Sequence, residues 1–389
     1  MPLPPSHIWM ADFSKWRTFR AMPGARVPCR WTIMFHPAPS FAAMRQVLPN
    51  TEAGSHLATR KKRSKKLDLS LALPMFTAAD LHNIGEAAED ANTLMAMFYF
   101  RKILDHQALS LCVQHFRPLS RFFEATEREL KYIFARDRHL RGYVDAHQLV
   151  SHTQRSAASR YAERHLNAFA EGLGSLLMHN HPAFPRMRLE RSRLPVDWLF
   201  IHPTTALRLS RPTVAIVGSR QSSKRQLDAA RDVAEGVGAL GGTVVTGLAT
   251  GADGAAHEAA RSTEASIVAV LGSGVAKPYP SEHAKWVKEL LEGRGTVLSE
   301  VPPDYAPNQD GFVLRNRIVA ALADVVVAVS GKYASGTAHT IRFACDASVP
   351  VVSVDPDPAS GISALVRECG GYVSSPSDFV RQLERGEDA

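Results

Sequence analysis

Glycine, hydroxyl and arginine residues recur in this chain at the ends of short apolar runs. In Val214-Ala-Ile-Val-Gly-Ser-Arg220, four apolar residues lead into Gly218, Ser219 and Arg220. Backbone N–H groups of such a turn can face an anion, and the planar fork of Arg220 can grip it. The same order returns in Gly247-Leu-Ala-Thr-Gly-Ala-Asp-Gly-Ala-Ala-His257, in Gly272-Ser-Gly274 with Lys277-Pro-Tyr-Pro280, and in Ser299-Glu-Val-Pro-Pro303. It returns again in Ser330-Gly-Lys332 and Ser335-Gly-Thr337. One glycine turn means little, because any strand–helix joint can use one. Several such turns converging on one edge describe a site of phosphate or nucleotide size.

Asp253 reads as the cap of the helix that carries His257, and His257 as a packing histidine. Arg315-Asn316-Arg317 stands before the apolar run Ile318–Leu322. Cations at a helix N-terminus oppose its dipole. Glu300, Asp304 or a bound phosphate is therefore expected to compensate them.

Those turns need strands and helices to hold them. Val214–Val217, Thr243–Thr246, Ile267–Leu271, Thr296–Leu298, Val325–Val329 and Val351–Val354 are nearly continuous in small and branched apolar residues. Strands buried on both faces have that composition. Helical runs lie between most of them: Gln226–Leu240, opened by Ser222 or Ser223, then Gly254–Arg261, Ser281–Leu291 and Arg315–Ala323. The alternation predicts an α/β fold, a doubly wound parallel sheet over residues 213–389. In such a sheet ligands bind outside the carboxyl ends of the strands, where these turns fall.

Upstream the patterning changes. Residues 67–180 read as a small helical domain. Thr77-Ala-Ala-Asp80 opens a helix there, and Leu94–Ile103, Ser120–Leu130 and Arg160–Phe169 are further helices. Pro182, Pro185 and Pro195 mark an irregular connector over 181–212. Residues 1–66 are proline-rich, lack a sustained period and close on Arg60-Lys-Lys-Arg-Ser-Lys-Lys66. They read as a weakly structured basic extension, with an accessory arm on nucleic-acid phosphates as the alternative.

Composition narrows the function classes. The 389 residues carry a formal net charge of +8. From Arg211 onward there are 17 Lys/Arg against 21 Asp/Glu, and before it 29 against 17. The sheet half is thus acidic overall, so an anion must be held there by a local pocket and not by a general field. No apolar run reaches membrane-spanning length, and no secretory leader is read at the N-terminus. The four cysteines are scattered without metal-type spacing, which fits a cytoplasmic protein and no resident metal. Ser219 to Lys224 contains no glycine, so the dinucleotide fingerprint is missing, as is the Walker loop. No catalytic triad or carboxylate pair stands out. Binding without a cofactor, and not bond-breaking, is the expectation.

Six ordered motifs resemble those of the DprA/Smf family of bacterial DNA-processing proteins. They are Val214–Arg220, Thr246–His257, Ala269–Gly274 with Tyr279-Pro280, Ser299–Pro302, Phe312–Ala320 and Ser335–Thr337. His181–Pro185 through Pro195–Phe200 resembles the family's lead-in. The resemblance implies an extended Rossmann-like sheet preceded by a small SAM- or helix-hairpin-like domain. It further implies single-stranded DNA binding, loading of a RecA-type recombinase in natural transformation, and a homodimer. Carried over by motif, it implies Arg220 as the main phosphate contact, Gly218, Ser219, Gly247 and Gly251 as the nest, Ser335 and Gly336 as its far side, and Lys277, Arg315 and Arg317, with Asn316, as the supporting set. Ala252 stands where the family usually has isoleucine, Thr337 where it has serine, and Asp355-Pro-Asp-Pro358 replaces a Pro-Gly. The winged-helix domain that many members carry is not expected after the sheet. The alternative is an enzyme or sensor of the same superfamily acting on a nucleotide derivative. Its phosphoribohydrolases place a glutamate in the last loop, where Ser335-Gly-Thr-Ala-His-Thr340 has none. A phage-defence or regulatory scaffold on this fold is a third possibility.

Overall fold

The computed structural model describes residues 89–101, 104–134, 152–169, 174–202, 207 and 209–386. The basic extension and the helix start at Thr77 lie outside the described residues.

The sheet has nine strands among the described residues: β1 Ser175–Met178, β2 Trp198–His202, β3 Thr213–Val217, β4 Thr243–Thr246, β5 Ser266–Leu271, β6 Thr296–Ser299, β7 Val325–Ala328, β8 Val351–Ser353 and β9 Tyr372–Val373. Their spatial order is β1-β2-β6-β5-β4-β3-β7-β8-β9. From β6 to β9 every neighbouring pair is parallel. β2 joins β6 antiparallel, and β1 joins β2 antiparallel. The strand order reverses at β3, which pairs with β4 on one side and β7 on the other. This is the switch point at which a crevice opens in a doubly wound sheet. The fold is the α/β Rossmann-like sheet read from the sequence, with a helical part before it.

Alternation along the strands divides two cores. Val214, Ile216, Val244, Ala269, Leu271 and Val327 face one layer of helices. That layer is α6 Lys224–Ala239, α7 Ala252–Ala260, α8 Ala284–Glu289 and α12 Pro376–Glu384. Ala215, Val217, Val245, Val270 and Val326 face the other, α9 Gln309–Leu322, α10 Gly336–Asp346 and α11 Gly361–Glu368. The period of two in β3 therefore sends consecutive residues to opposite cores.

The helical part comprises α1 over residues 89–98, α2 His106–His115, α3 Glu127–Phe134 and α4 His152–Ala168. A short α5, Arg186–Leu189, follows β1. The expected helix Ser120–Leu130 is broken. A 3₁₀ turn, Leu119–Glu124, is followed by α3, whose start is marked by reciprocal Thr126–Glu129 hydrogen bonds of the capping-box kind. The connector also differs from its reading, because β2 lies inside it and β1 ends just before it. All five residues of β2 are buried. Trp198 and Phe200 pack on the helical part, while Leu199 and Ile201 face the α9 core. The Trp198 indole N–H donates to the Glu300 carbonyl at 2.8 Å.

Candidate functional site

The switch crevice is built around Asp253. This residue is not the expected cap: Gly251, at φ +78°, holds that position, and Asp253 follows in the first turn of α7. The carboxylate turns back and accepts the Gly247 N–H at 3.0 Å, and it also accepts those of Ala249 and Gly218. One acid thus pins the turns after β3 and β4 together. Burial pushes its pKa up, against the opposing pull of Arg315 and the three amides. Next to it, Leu248 sits at φ +54°, an uncommon conformation for a branched residue. His283 Nδ1 donates to the Leu248 carbonyl at 2.9 Å and holds that strained peptide from the far side.

Arg315 enters from α9 and is 8% exposed. Its Nη1 donates to the Val270 carbonyl at 2.9 Å, and its Nε has no hydrogen-bond partner. Burial lowers its pKa, with the Arg220 charge adding to the effect and Asp253 opposing it. An arginine still remains charged under these conditions. A Cβ on Gly247 would stand 1.5 Å from Arg315 Nη1, so only glycine leaves room for the guanidinium. The expected position of Arg315 at a helix start is corrected here. α9 begins six residues earlier, capped by Asn308, whose side chain accepts the Gly311 N–H at 2.7 Å.

These residues open into a cavity of about 220 Å³, whose walls include Arg220, Gly247, Thr250, Tyr279, Phe312 and Arg315. Arg220 is exposed, and its guanidinium carbon lies 5.6 Å from the Phe312 ring centre and 6.0 Å from that of Tyr279. The two rings are 5.1 Å apart. Aromatic faces attract a cation at this range and hold it over the cavity without a carboxylate. Glu282 is the acid on the rim. Among the described residues no carboxylate lies within salt-bridge distance of Arg220 or Arg315. The aromatic pair was missed as a site in the sequence. Phe312 and Arg315, three apart on a helix, share a face, and that spacing was the available signal.

The other expected residues divide. Ser219 donates its N–H to Ser330 Oγ at 2.8 Å, and Ser222 joins the same hydroxyl at 2.7 Å, so β3 and β7 are latched across the switch. Gly251 N-caps α7 against the Ser219 carbonyl, which accepts the Ala252 N–H at 3.3 Å. Ser223, not Ser222, caps α6. Ser335 caps α10, and the neighbouring Gly336 carbonyl accepts from Asn316 at 3.3 Å. This pair and the exposed Lys277 do not line the cavity. Arg317 is the clear correction. It is 1% exposed and bidentate to Glu300 at 2.5 and 2.6 Å, and it also donates to the Pro195 carbonyl at 2.8 Å. It compensates Glu300 inside the protein and is not free to meet an anion.

A family model described as DNA recombination-mediator protein A matches residues 175–384. The chain belongs to that family. The family's residues therefore span the whole sheet, β1 to β9, together with the cavity at its switch point. A putative DNA processing protein DprA of Mycobacterium tuberculosis is 36% identical over 171 residues, 43% of each chain. Protein Smf of Escherichia coli K12 is 33% identical over 178 residues, 44% of this chain and 47% of its own. The match thus spans about half the length of these relatives. The structure of DNA processing protein A from Streptococcus pneumoniae covers 79% of this chain and 98% of its own, with a TM-score of 0.51 at 20% identity. That likeness concerns the fold. Among the described residues no helix is long and apolar enough to cross a membrane, and no group of three or more His, Cys, Asp or Glu is placed to hold a metal.

Proposed function

We propose that this DNA recombination-mediator protein binds single-stranded DNA, with a backbone phosphate between Arg220 and Arg315 and a base against Tyr279 and Phe312. The observation that carries the reading is this pairing of two arginines with two neighbouring aromatic rings at one cavity. Aromatic stacking needs an exposed base face, which a single strand offers and a duplex hides. The acidic balance of the sheet half supports a local grip over a broad electrostatic one. The protein acts without bond-breaking. It shields the strand and passes it to a RecA-type recombinase during transformation, as a cytoplasmic homodimer.

The test is anisotropy of a labelled oligothymidine and of a matched duplex at fixed salt. The full chain should prefer the single strand, and Arg220→Ala should weaken binding by about 10- to 100-fold, on the order of 1.4–3 kcal/mol for a charge-assisted contact. Unchanged affinity in that variant would place the strand elsewhere. Stimulation of recombinase strand exchange by the wild type and not by Arg220→Ala checks the delivery role.

A further inference from the structure

A second cluster of arginines and aromatic rings lies where the helical part meets the sheet. Arg101 follows α1. Its guanidinium carbon lies 5.4 Å from the Tyr305 ring centre and 5.9 Å from that of Tyr161 on α4. The Arg164 guanidinium is also 5.9 Å from the Tyr161 ring centre. The Tyr99 ring stands 6.0 Å from that of Tyr161 and is itself 42% exposed. Arg164 and Arg160, one turn apart on α4, are both exposed and share a face. The hydrogen bonds of Arg101 to the Phe98 carbonyl and the Tyr161 hydroxyl are both long, at 3.4 Å. Asp304 is the carboxylate held in the cluster. It accepts the Tyr161 hydroxyl at 2.8 Å and stands 3.7 Å from His165 Nε2 and 4.0 Å from Arg101 Nη2. Even with the exposed Glu163 of α4 counted beside Asp304, three arginines outnumber the acids.

One short turn joins this cluster to the cavity. In the turn after β5, the Gly274 N–H donates to the Tyr305 carbonyl at 2.9 Å. Two residues earlier, a Cβ on Gly272 would stand 2.7 Å from the Phe312 ring. Two residues of extended chain span at most about 7 Å. Tyr305 and Phe312 therefore flank the same turn, one on the side of the helical cluster and the other in the cavity wall. We propose that a single strand held in the cavity continues over this turn onto the helical part, where Tyr99 stacks a base and Arg101 and Arg164 hold phosphates. The inference rests on the single-strand reading of the cavity and lengthens its footprint. Rings that take base faces and cations that track the backbone are the two components of a sequence-tolerant single-strand groove. The helical part supplies both in exposed positions, which packing alone does not require. A duplex hides the base faces that Tyr99 would meet, so the single strand is the occupant that uses every group of the cluster.

Anisotropy of labelled oligothymidines of about six and about twelve nucleotides, titrated with the full chain over a range of salt, tests the proposal. The wild type should bind the longer strand at least about tenfold more tightly than the shorter, as one added stacked base and its phosphates allow. Tyr99→Ala should weaken the longer strand about fivefold or more. Arg164→Gln should reduce its salt slope by about 0.7, the share of one phosphate contact on a single strand. Both variants should bind the shorter strand as the wild type does. Melting curves confirm that they fold. Arg220→Ala, in the cavity, should weaken both lengths, so the two sites are read separately. Equal wild-type affinity for the two lengths, or wild-type affinity and salt slope in both helical variants, would overturn the proposal and leave the cavity reading intact. Unchanged short-strand affinity in Arg220→Ala would instead overturn the cavity reading, and this proposal with it.

Discussion

Arg315 and Arg317 show how little residue type says about role. Two positions apart on α9, one is aimed into the cavity and the other is locked on Glu300. The sequence marked both as compensated cations, and only the helix phase separates them: a rotation of about 200° for two residues sends them to opposite sides. Asp253 is the residue on which the site depends. Asp253→Asn keeps the size but removes the charge that faces Arg315 and an acceptor used by three turn amides. Leaving buried turn amides short of an acceptor costs about 1–3 kcal/mol. The expected loss is about 3 kcal/mol, read as a lower urea midpoint at unchanged slope. Gly247→Ala acts on the opposite partner. Its methyl would occupy the place of Arg315 Nη1, so single-strand affinity should fall at least about tenfold while the sheet persists. Binding isotherms at fixed salt check it. Wild-type affinity in Gly247→Ala would mean that Arg315 does not need its present position.

At the scale of elements, the parallel strands were legible because burial on both faces leaves an unmistakable apolar run. β1 and β2 were not. β2 is flanked by Pro195 and Pro203, which made the segment read as connector, and it pairs antiparallel with β6, which comes about a hundred residues later. On its other edge Trp198–His202 pairs with β1, which is as short and as hard to read. α9 was read short for a different reason: Asp310 and Gly311 are weak helix formers, and the Asn308 cap overrides them. The cavity's turns were legible from glycine and hydroxyl spacing, whereas Tyr279 and Phe312 come together only in three dimensions. The Glu300–Arg317 node ties α9 to the β6 end, and through the Trp198 indole to β2. Arg317→Met is therefore expected to destabilise by about 3–5 kcal/mol, because Glu300 keeps a buried charge without its partner. Single-strand affinity of the folded fraction should stay within about twofold of wild type, since Arg317 does not line the cavity. Urea unfolding and anisotropy on one preparation measure both. A lost affinity with intact stability would return Arg317 to the site.

The whole molecule carries an acid-sensitive element in the layer opposite α9. His257 on α7 is completely buried, and neither ring nitrogen has a hydrogen-bond partner. Its ring centre lies 4.8 Å from that of Trp286 on α8. Burial first, then the charges of Arg261 and His283, hold its pKa down to about 3. In the unfolded chain the same imidazole titrates near 6.5. Between those two values the unfolded state binds a proton that the folded state refuses, so stability is lost as pH falls, starting near 6.5. The slope is about 1.4 kcal/mol per pH unit, or about 2 kcal/mol lost between pH 7 and pH 5. His106, His179 and His339 are also held low by burial and act in the same window. Asp304 acts elsewhere. The His165 and Tyr161 hydrogen bonds pull its pKa down to about 2, so its contribution is full above about pH 4 and fades as pH drops toward 2. The difference between wild type and His257→Leu therefore isolates one group. Leucine removes the titration and keeps an apolar side chain in the α7–α8 layer. Urea unfolding at pH 7 and at pH 5 should show the wild type losing about 2 kcal/mol more than the variant across that interval. Equal losses in the two proteins would mean that His257 accepts its proton in the folded state and that α7 and α8 open to admit it.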